Sequence, residues 1–370
     1  MVNDVNSDVS YMRRALRLAA RALGKTSPNP MVGAVIVRHD RIVAEDYHKK
    51  AGELHAEALA IQAAGTAARD ATLYVTLEPC CHTGKRTPPC TKAIISAGIK
   101  KVVVAMEDPN PKVAGRGIAE LREHGIEVIA GVAEQAAHRL NESYMKFITT
   151  RLPFVILKSA MTLDGKIATP AGESKWITGE KARRCVHQLR SSVDAILTAV
   201  GTVKADNPRL TARIRGGRDP IRIVLDPNLE TPLSFHVSTV PPATVFVARE
   251  QARKHFADKA GLLNSRGIEV ISYAEERLDL AWLMSLLGGR GITSVLIEGG
   301  SSLNASAFQS GIVDKVVFFI APKIIGGKKS LTPVGGESFR AMSNPYLIKD
   351  MRSRRIGEDL MIEGYLNRGA

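Results

Sequence analysis

Of the chain's four cysteines, three (Cys80, Cys81 and Cys90) lie between positions 80 and 90, beside prolines and downstream of His55-Ala56-Glu57. Such a set suits Zn²⁺, which takes imidazole nitrogen and thiolate sulfur in a tetrahedron. One His and two Cys fill three corners and leave the fourth for water, as in a catalytic site rather than a structural one. Glu57, two residues after the His, need not be a ligand; it is placed to stand beside the water and move protons. The local pattern puts His55 at a helix start and Cys80 and Cys90 in a strand-to-helix loop, so the fold must bring these two places together.

The surrounding periodicity is of the α/β kind. Residues 10–23 predict an amphipathic helix, with Tyr11, Ala15, Leu18, Ala19 and Ala22 on one side, Arg13, Arg14, Arg17 and Arg21 on the other, Ser10 as cap and Gly24 as stop. Pro28-Asn29-Pro30 predicts a rigid turn before a strand at 34–37, and a second strand follows at 42–44. Further along come a helix at 54–64, a strand at 71–77, a helix opened by Cys90, a strand at 100–105, a helix at 117–123, a strand at 126–129 and a helix at 134–147. This alternation implies an α/β/α sandwich. A boundary near 149–153 divides the chain into domains 1–149 and 150–370. In the second, strands are expected at 154–160, 195–200, 221–225, 244–248, 268–272, 294–298 and 315–320, and helices at 179–192, 279–287 and 302–310. The strand 294–298 runs through Gly299-Gly300 into a helix, a turn that is either a tight connection or an anion cradle of backbone N–H groups. It lacks the G-x-G-x-x-G fingerprint, so a Rossmann domain is not indicated.

At 370 residues the chain has room for about two domains. No apolar run approaches a membrane span, and the N-terminus lacks the apolar stretch of a signal peptide. Clustered cysteines next to a His read as metal binding in a reducing compartment, hence a cytoplasmic protein. The net charge of +14 fits attraction to anionic substrates. A nucleic-acid surface would need basic residues interleaved with aromatics, and aromatics are only 5% of a chain whose Lys and Arg are dispersed. No nucleic-acid or membrane partner is therefore expected.

His55-x-Glu57 followed by Pro79-Cys80 fits the H-x-E…P-C-x-x-C signature of zinc deaminases, whose activated hydroxide attacks an amino-bearing ring carbon. Here the second cysteine is ten residues on, at Cys90, rather than three. With that stretched loop, Thr76-Leu77-Glu78-Pro79-Cys80-Cys81-His82-Thr83-Gly84-Lys85 and Thr87-Pro88-Pro89-Cys90 resemble the deaminase half of the bifunctional riboflavin-biosynthesis deaminase/reductases. The loop is one residue longer than is usual in that family. Cys81 is thus an alternative to Cys80, although Cys80 directly follows Pro79. The resemblance continues through Met161–Ala168, Ser174–Thr178, Gly201–Thr211 and Glu298-Gly299-Gly300, and so covers nearly the whole chain.

What it implies is a cytidine-deaminase-like α/β/α sandwich followed by a dihydrofolate-reductase-like α/β domain. The cofactors would be one Zn²⁺ on His55, Cys80 and Cys90, with Glu57 catalytic, and NADPH in the second domain. In the first domain Asn29, in Pro28-Asn29-Pro30, would hydrogen-bond the pyrimidine. His48 either faces the substrate or is structural, and Lys85 either touches a substrate phosphate or is solvated. Ala160, Trp176, Thr202, Asp206, Gly300, Ser301, Ser302, Leu303, Asn304, Ala305 and Ser306 would meet the nicotinamide dinucleotide. Lys158, Ser174, Arg190, Leu210, Arg213 and Glu298 would meet the ribosyl phosphate, two arginines suiting a phosphate monoester. Lys158 and Glu298 are also the positional candidates for proton donor in the reduction. Residues 161–178 have a plainer reading as a hairpin with a buried Trp176. A homo-oligomer acting on a phosphorylated pyrimidine is the expected working form.

Two other readings share these motifs. A nucleic-acid deaminase would use the same zinc chemistry with the basic C-terminal half as its binding module. A structural zinc protein would close the sphere with a fourth ligand, Cys81 or His82, and leave Glu57 passive.

Overall fold

The structure, a computed structural model, describes residues 2–82, 88–239, 241–336 and 340–367. It forms two compact units, Met1–Arg151 and Leu152–Ala370. In the first, β1 (Gly33–Arg38), β2 (Arg41–Tyr47), β3 (Thr72–Val75), β4 (Lys101–Val104) and β5 (Glu127–Ala130) make a sheet of order β2-β1-β3-β4-β5. β1 is antiparallel to both neighbours, whereas β3, β4 and β5 run parallel. Six helices accompany the sheet: α1 (Val2–Ala19), α2 (Ala56–Ala64), α3 (Cys90–Ser96), α4 (Arg116–Glu123), α5 (Glu134–Leu140) and α6 (Glu142–Thr150). The central strands are buried on both faces, so β1 and β4 read as continuous apolar runs rather than alternations. Helix α1 lies directly on β1. A Cβ at Gly33 would stand 2.1 Å from the Ala15 carbonyl oxygen, so only glycine allows that approach.

The second unit carries a nine-stranded sheet built from β6 (Phe154–Thr162), β7 (Ala195–Ala199), β8 (Ile221–Leu225), β9 (Thr244–Arg249), β10 (Glu269–Tyr273), β11 (Ser294–Ile297), β12 (Lys315–Ala321), β13 (Ile348–Ile356) and β14 (Asp359–Leu366). Its order is β10-β9-β8-β7-β11-β6-β12-β14-β13, parallel from β10 to β12 and closed by the antiparallel β14 and β13. The helices are α7 (Glu180–Ser192), α8 (Val200–Asp206), α9 (His236–Thr239), α10 (Glu250–His255), α11 (Ala257–Ser265), α12 (Leu280–Gly289) and α13 (Ser301–Gln309). Two apolar clusters lie in this unit, one including Ile196, Phe246 and Phe319, the other Leu197, Val295 and Leu283. No helix of the described residues is long and apolar enough to cross a membrane.

Several expectations need correction. The first helix starts at Val2, so Ser10 is interior rather than a cap. The single helix expected over 134–147 is two, broken at Asn141 (φ −108°). The break has a use: the buried Asn141 amide accepts from Met31 N (2.8 Å) and donates to Met31 O (3.0 Å), fixing the turn that carries Asn29. Trp176 is 64% exposed, so the buried-Trp hairpin is not formed. The strands β13 and β14 were not anticipated, because the mostly exposed, charged β13 offers no apolar run to read.

Candidate active sites

In the first unit the two distant motifs meet. His55 is the N-cap of α2, in extended backbone (φ −74°, ψ 161°), and Cys90 is the first residue of α3. His55 Nδ1 lies 3.5 Å from Cys80 Sγ and 3.2 Å from Cys90 Sγ. The three ligand atoms stand within 4.8 Å of one another. Cys81 and His82 are not part of this group, and among the described residues no fourth His, Cys, Asp or Glu joins it. One imidazole and two thiols converging on a point are the donor set zinc prefers, so the residues fit the metal. Glu57, in the first turn of α2, is 3% exposed, and its Oε2 has no hydrogen-bond partner in the protein. Burial, then the neighbouring Cys80 sulfur, pushes its carboxyl up from the ordinary range.

His55, Glu57 and Cys80 border a cavity of about 490 Å³ that also includes Asn29, His48, His82, Asp108, Asn110 and Tyr144. His48 is buried, which holds its imidazole below the ordinary value, in the neutral form. Its Nδ1 donates to Leu54 O (3.1 Å), so Nε2 accepts from Asn29 Nδ2 (3.2 Å). That leaves Asn29 Oδ1 as the acceptor offered to an amino or imino N–H. Lys85 lies outside the described residues.

Glu78, between Leu77 and Pro79, was passed over in the sequence as part of a motif. The structure gives it a job. Its buried carboxylate accepts from Asp108 N (3.1 Å), Gly115 N (3.0 Å), Gly117 N (2.8 Å) and Ile118 N (3.1 Å), tying the Cys80 loop to the start of α4. Unsatisfied N–H groups at a helix start, and the positive end of its dipole, favour a carboxylate there. A Cβ at Gly117 would sit 2.1 Å from Pro79 O. Gly117→Ala is therefore expected to displace Pro79-Cys80 and lower zinc content per chain, checked by metal analysis beside an unfolding curve.

The second unit has its own cavity, of about 800 Å³, where β7 and β11 end beside the middle of β6. Ala160, Trp176, Thr202, Asp206, Gly300, Ser301, Ser302 and Leu303 line it, as do Lys158, Ser174, Arg190, Leu210, Arg213 and Glu298. The structure does not bring Asn304, Ala305 or Ser306 to that lining. Asn304 is fully buried and donates to Pro333 O (2.8 Å), Ala305 is buried, and Ser306 is exposed. Gly300 caps α13, whose backbone N–H groups open on the cavity, and a Cβ there would meet only Thr202 Oγ1 at 3.6 Å. A helix start of this kind is suited to a pyrophosphate, and the volume suits a dinucleotide. At the other side Arg190 grips Glu298 with both prongs, Nε to Oε1 (2.7 Å) and Nη2 to Oε2 (2.8 Å), and donates from Nη1 to Thr211 O (3.2 Å). Lys158 Nζ stands 3.9 Å from Glu298 Oε2. Burial alone would raise the Glu298 carboxyl, but the charge and hydrogen bonds of Arg190, with Lys158 beyond, hold it down at about 2. Beside these two cations the carboxyl favours its ionised form. Burial lowers the Lys158 ammonium from its ordinary value.

Residues 5–106 match the cytidine and deoxycytidylate deaminase zinc-binding region, and residues 153–362 match the RibD C-terminal domain. Riboflavin biosynthesis protein RibD of Actinobacillus pleuropneumoniae is 46% identical over 360 residues, covering 96% of this chain and 95% of that protein. The chain belongs to the RibD family. The RibD of Synechocystis is 47% identical over 360 residues, covering 97% of this chain and 96% of its own length. Among solved structures, a diaminohydroxyphosphoribosylaminopyrimidine deaminase/5-amino-6-(5-phosphoribosylamino)uracil reductase from Thermotoga maritima superposes with a TM-score of 0.86 at 38% identity, covering 98% of this chain and all of that one (100%). As a member of that family, the chain is a bifunctional deaminase and reductase of riboflavin biosynthesis, with zinc and NADPH as cofactors. The deaminase-like and reductase-like α/β folds follow with it. A reductase domain thus stands where the rival reading put a nucleic-acid module. Besides Glu78, sequence reasoning left out Asp108 and Tyr144. Tyr144 Oη donates to Asp108 Oδ1 (2.9 Å) at the cavity wall, and no local motif announces that pair.

Proposed function

We propose that the first unit hydrolytically removes an amino group from a diaminopyrimidinone ribosylamine phosphate, and that the second reduces the ribosyl C1′ of the product to open a ribityl chain. The observation that carries this is the convergence of His55, Cys80 and Cys90 beside the buried, unpartnered Oε2 of Glu57. The substrate follows the wording attached to the Thermotoga relative.

When bound, Zn²⁺ supplies the Lewis acidity that lets water ionise near neutral pH. Glu57 takes the water's proton on Oε2 and hands it to the departing amine, a task its burial suits. Asn29, oriented by His48 and by Asn141 through Met31, holds the pyrimidine, and Lys85 meets the phosphate. In the second unit bound NADPH supplies the hydride for C1′. Ala160, Trp176, Thr202, Asp206 and Gly300–Leu303 seat the dinucleotide, while Asn304 acts by holding Pro333. Ala305 and Ser306 support the same helix. Lys158, Ser174, Arg190, Leu210, Arg213 and Glu298 surround the ribosyl phosphate. The C1′–ring oxygen bond opens, and Lys158 gives that oxygen its proton.

The same reading makes the enzyme a cytoplasmic homo-oligomer that acts on a small phosphorylated pyrimidine and not on nucleic acid. All four cysteines are thiols rather than disulfides, which suits a reducing compartment.

The test supplies the phosphorylated pyrimidine and NADPH together and follows ammonia and nicotinamide absorbance separately. Both signals are expected; ammonia without NADPH oxidation would refute the second half. The ligand assignment has its own check. Cys80→Ser is expected to lose zinc and ammonia release together, and Cys81→Ser to keep both, measured by metal content and ammonia assay. The opposite result would move the ligand to Cys81.

A further inference from the structure

Most polar groups lining the second cavity already have partners. Arg190 and Lys158 face Glu298, Ser174 and Lys175 hold Asp206, and Arg183 Nη1 donates to Thr178 O at 2.7 Å. His187 meets the Thr211 backbone but keeps one ring nitrogen unpaired. It lies on α7 one turn before Arg190, on the face that meets the cavity. Its Nδ1 is buried and has no hydrogen-bond partner. A buried ring nitrogen left unpaired is costly, so a ligand atom is the natural complement.

The charges around it say which kind of ligand. Arg190 stands on the same helix, and Arg213 comes from the 207–213 loop, whose Thr211 backbone hydrogen-bonds the ring and leaves Nδ1 as its unpaired nitrogen. Glu298, at the end of β11, is the carboxylate facing it, and Arg190 already grips that group. Burial, then Arg213 and Arg190, hold the imidazole below its ordinary 6.5, so it is neutral before substrate arrives. Arg213 is in turn lowered by burial and by the charges of Arg190 and Arg209, with Glu298 and Asp219 opposing. With Arg190 held by Glu298, Arg213 and Arg209 are the neighbouring guanidiniums left to favour an anion. The loop that presents Arg213 is also strained, with Leu210 at φ 55° and Arg213 at φ 51°. Such backbone persists where its surroundings hold it, often at a binding site. Here Asn207 Oδ1 accepts from His236 N (2.8 Å), Asp219 Oδ1 from Ala212 N (2.7 Å), and Arg209 O from the buried Arg222 (3.3 Å).

We propose that His187 is a direct ligand of the substrate's phosphate and takes up a proton as that phosphate seats between it and Arg213. The inference rests on reading this cavity as the reductase site. A phosphate monoester dianion reverses the local field, and the imidazolium then donates Nδ1–H in a charge-assisted hydrogen bond. Affinity falls as pH rises through the imidazole's bound-state value, because the proton is lost. Phosphate ionisation near pH 6 acts the other way, but it is common to wild type and variants and cancels in their ratio.

The experiment is calorimetry of ribose 5-phosphate binding to the full chain with NADP⁺ present, at one pH in two buffers of different ionisation enthalpy. Wild type is expected to take up a fraction of a proton per site. His187→Gln and His187→Asn are expected to lack that uptake, leaving only the phosphate's own proton release, and to bind about tenfold more weakly. In turnover with the deaminated intermediate, KM rises by a similar factor while kcat is retained, and the unfolding midpoint reports on folding. Equal proton uptake in wild type and both variants overturns the proposal while leaving the reductase reading intact. A wild-type enzyme that neither binds ribose 5-phosphate nor oxidises NADPH with the intermediate overturns both.

Discussion

Glu57→Gln is expected to lower ammonia release by a factor on the order of 10²–10⁴, the usual worth of a positioned proton-transfer group, while zinc stays bound. The change keeps the shape of the side chain, whose carboxyl hydrogen-bonds Cys90, and leaves all three ligand residues unaltered. What it removes is a carboxyl that is 3% exposed, sits in the first turn of α2 directly after the His55 cap, and has an oxygen with no protein partner. Such an arrangement is stable only if the free oxygen meets water or substrate in the working site. NADPH oxidation with a deaminated substrate should be unaltered, since that chemistry lies in the other unit. Metal analysis, an ammonia assay and nicotinamide absorbance separate the three quantities. Full ammonia release by the Gln variant would remove Glu57 from the chemistry.

Arg190→Ala is expected to cost about 3–5 kcal/mol of unfolding free energy, the penalty for stranding one member of a buried ion pair, and to abolish NADPH oxidation. Arg190 is 9% exposed and commits three of its five N–H donors, two to Glu298 and one to Thr211 O. Without it, Glu298 keeps only Lys158 at 3.9 Å. Denaturant titration measures the loss. Adding Glu298→Gln to the same chain should recover a large part of it, because the stranded charge is gone. Acid should do part of the same work in wild type. The Glu298 carboxyl titrates at about 2 in the folded chain against an ordinary 4.5. Its folded value is depressed, so its contribution is complete above about pH 4.5 and is lost as pH falls towards 2. The Glu298→Gln chain should lack that portion of the acid sensitivity, and identical acid curves for the two would refute the pairing.

The zinc site was unusually legible. His55-x-Glu57 and Pro79-Cys80…Cys90 carry their chemistry in residue type and spacing, and helix and strand starts around them follow from short apolar runs. Cys80 and Cys81 could not be separated by counting along the chain; the fold separates them by pointing one sulfur at His55 Nδ1 and keeping the other out of the cluster. Much of the second site was named only through family likeness. There the structure has Gly300–Leu303 at the cavity and Asn304, Ala305 and Ser306 outside its lining, because the N-terminal turn of α13 meets the cavity while Asn304 turns inward to Pro333. The roles of Glu78, Asn141 and His187 left no mark in the sequence. Glu78 and Asn141 are set by partners 30 or more positions away, as in Asn141 to Met31 (110 positions) and Glu78 to Asp108 (30 positions).

By itself, then, the sequence determined which atoms are on hand: a soft-donor set for zinc, a carboxylate beside it, parallel strands too apolar to lie anywhere but inside, and a surplus of cations. Only the tertiary structure decided which of those atoms meet and which are already spent, as Arg190 is on Glu298 and Glu78 is on the start of α4. The reason is that residue type fixes what a group is able to bind, while burial and long-range partners fix whether it still has anything left to bind with.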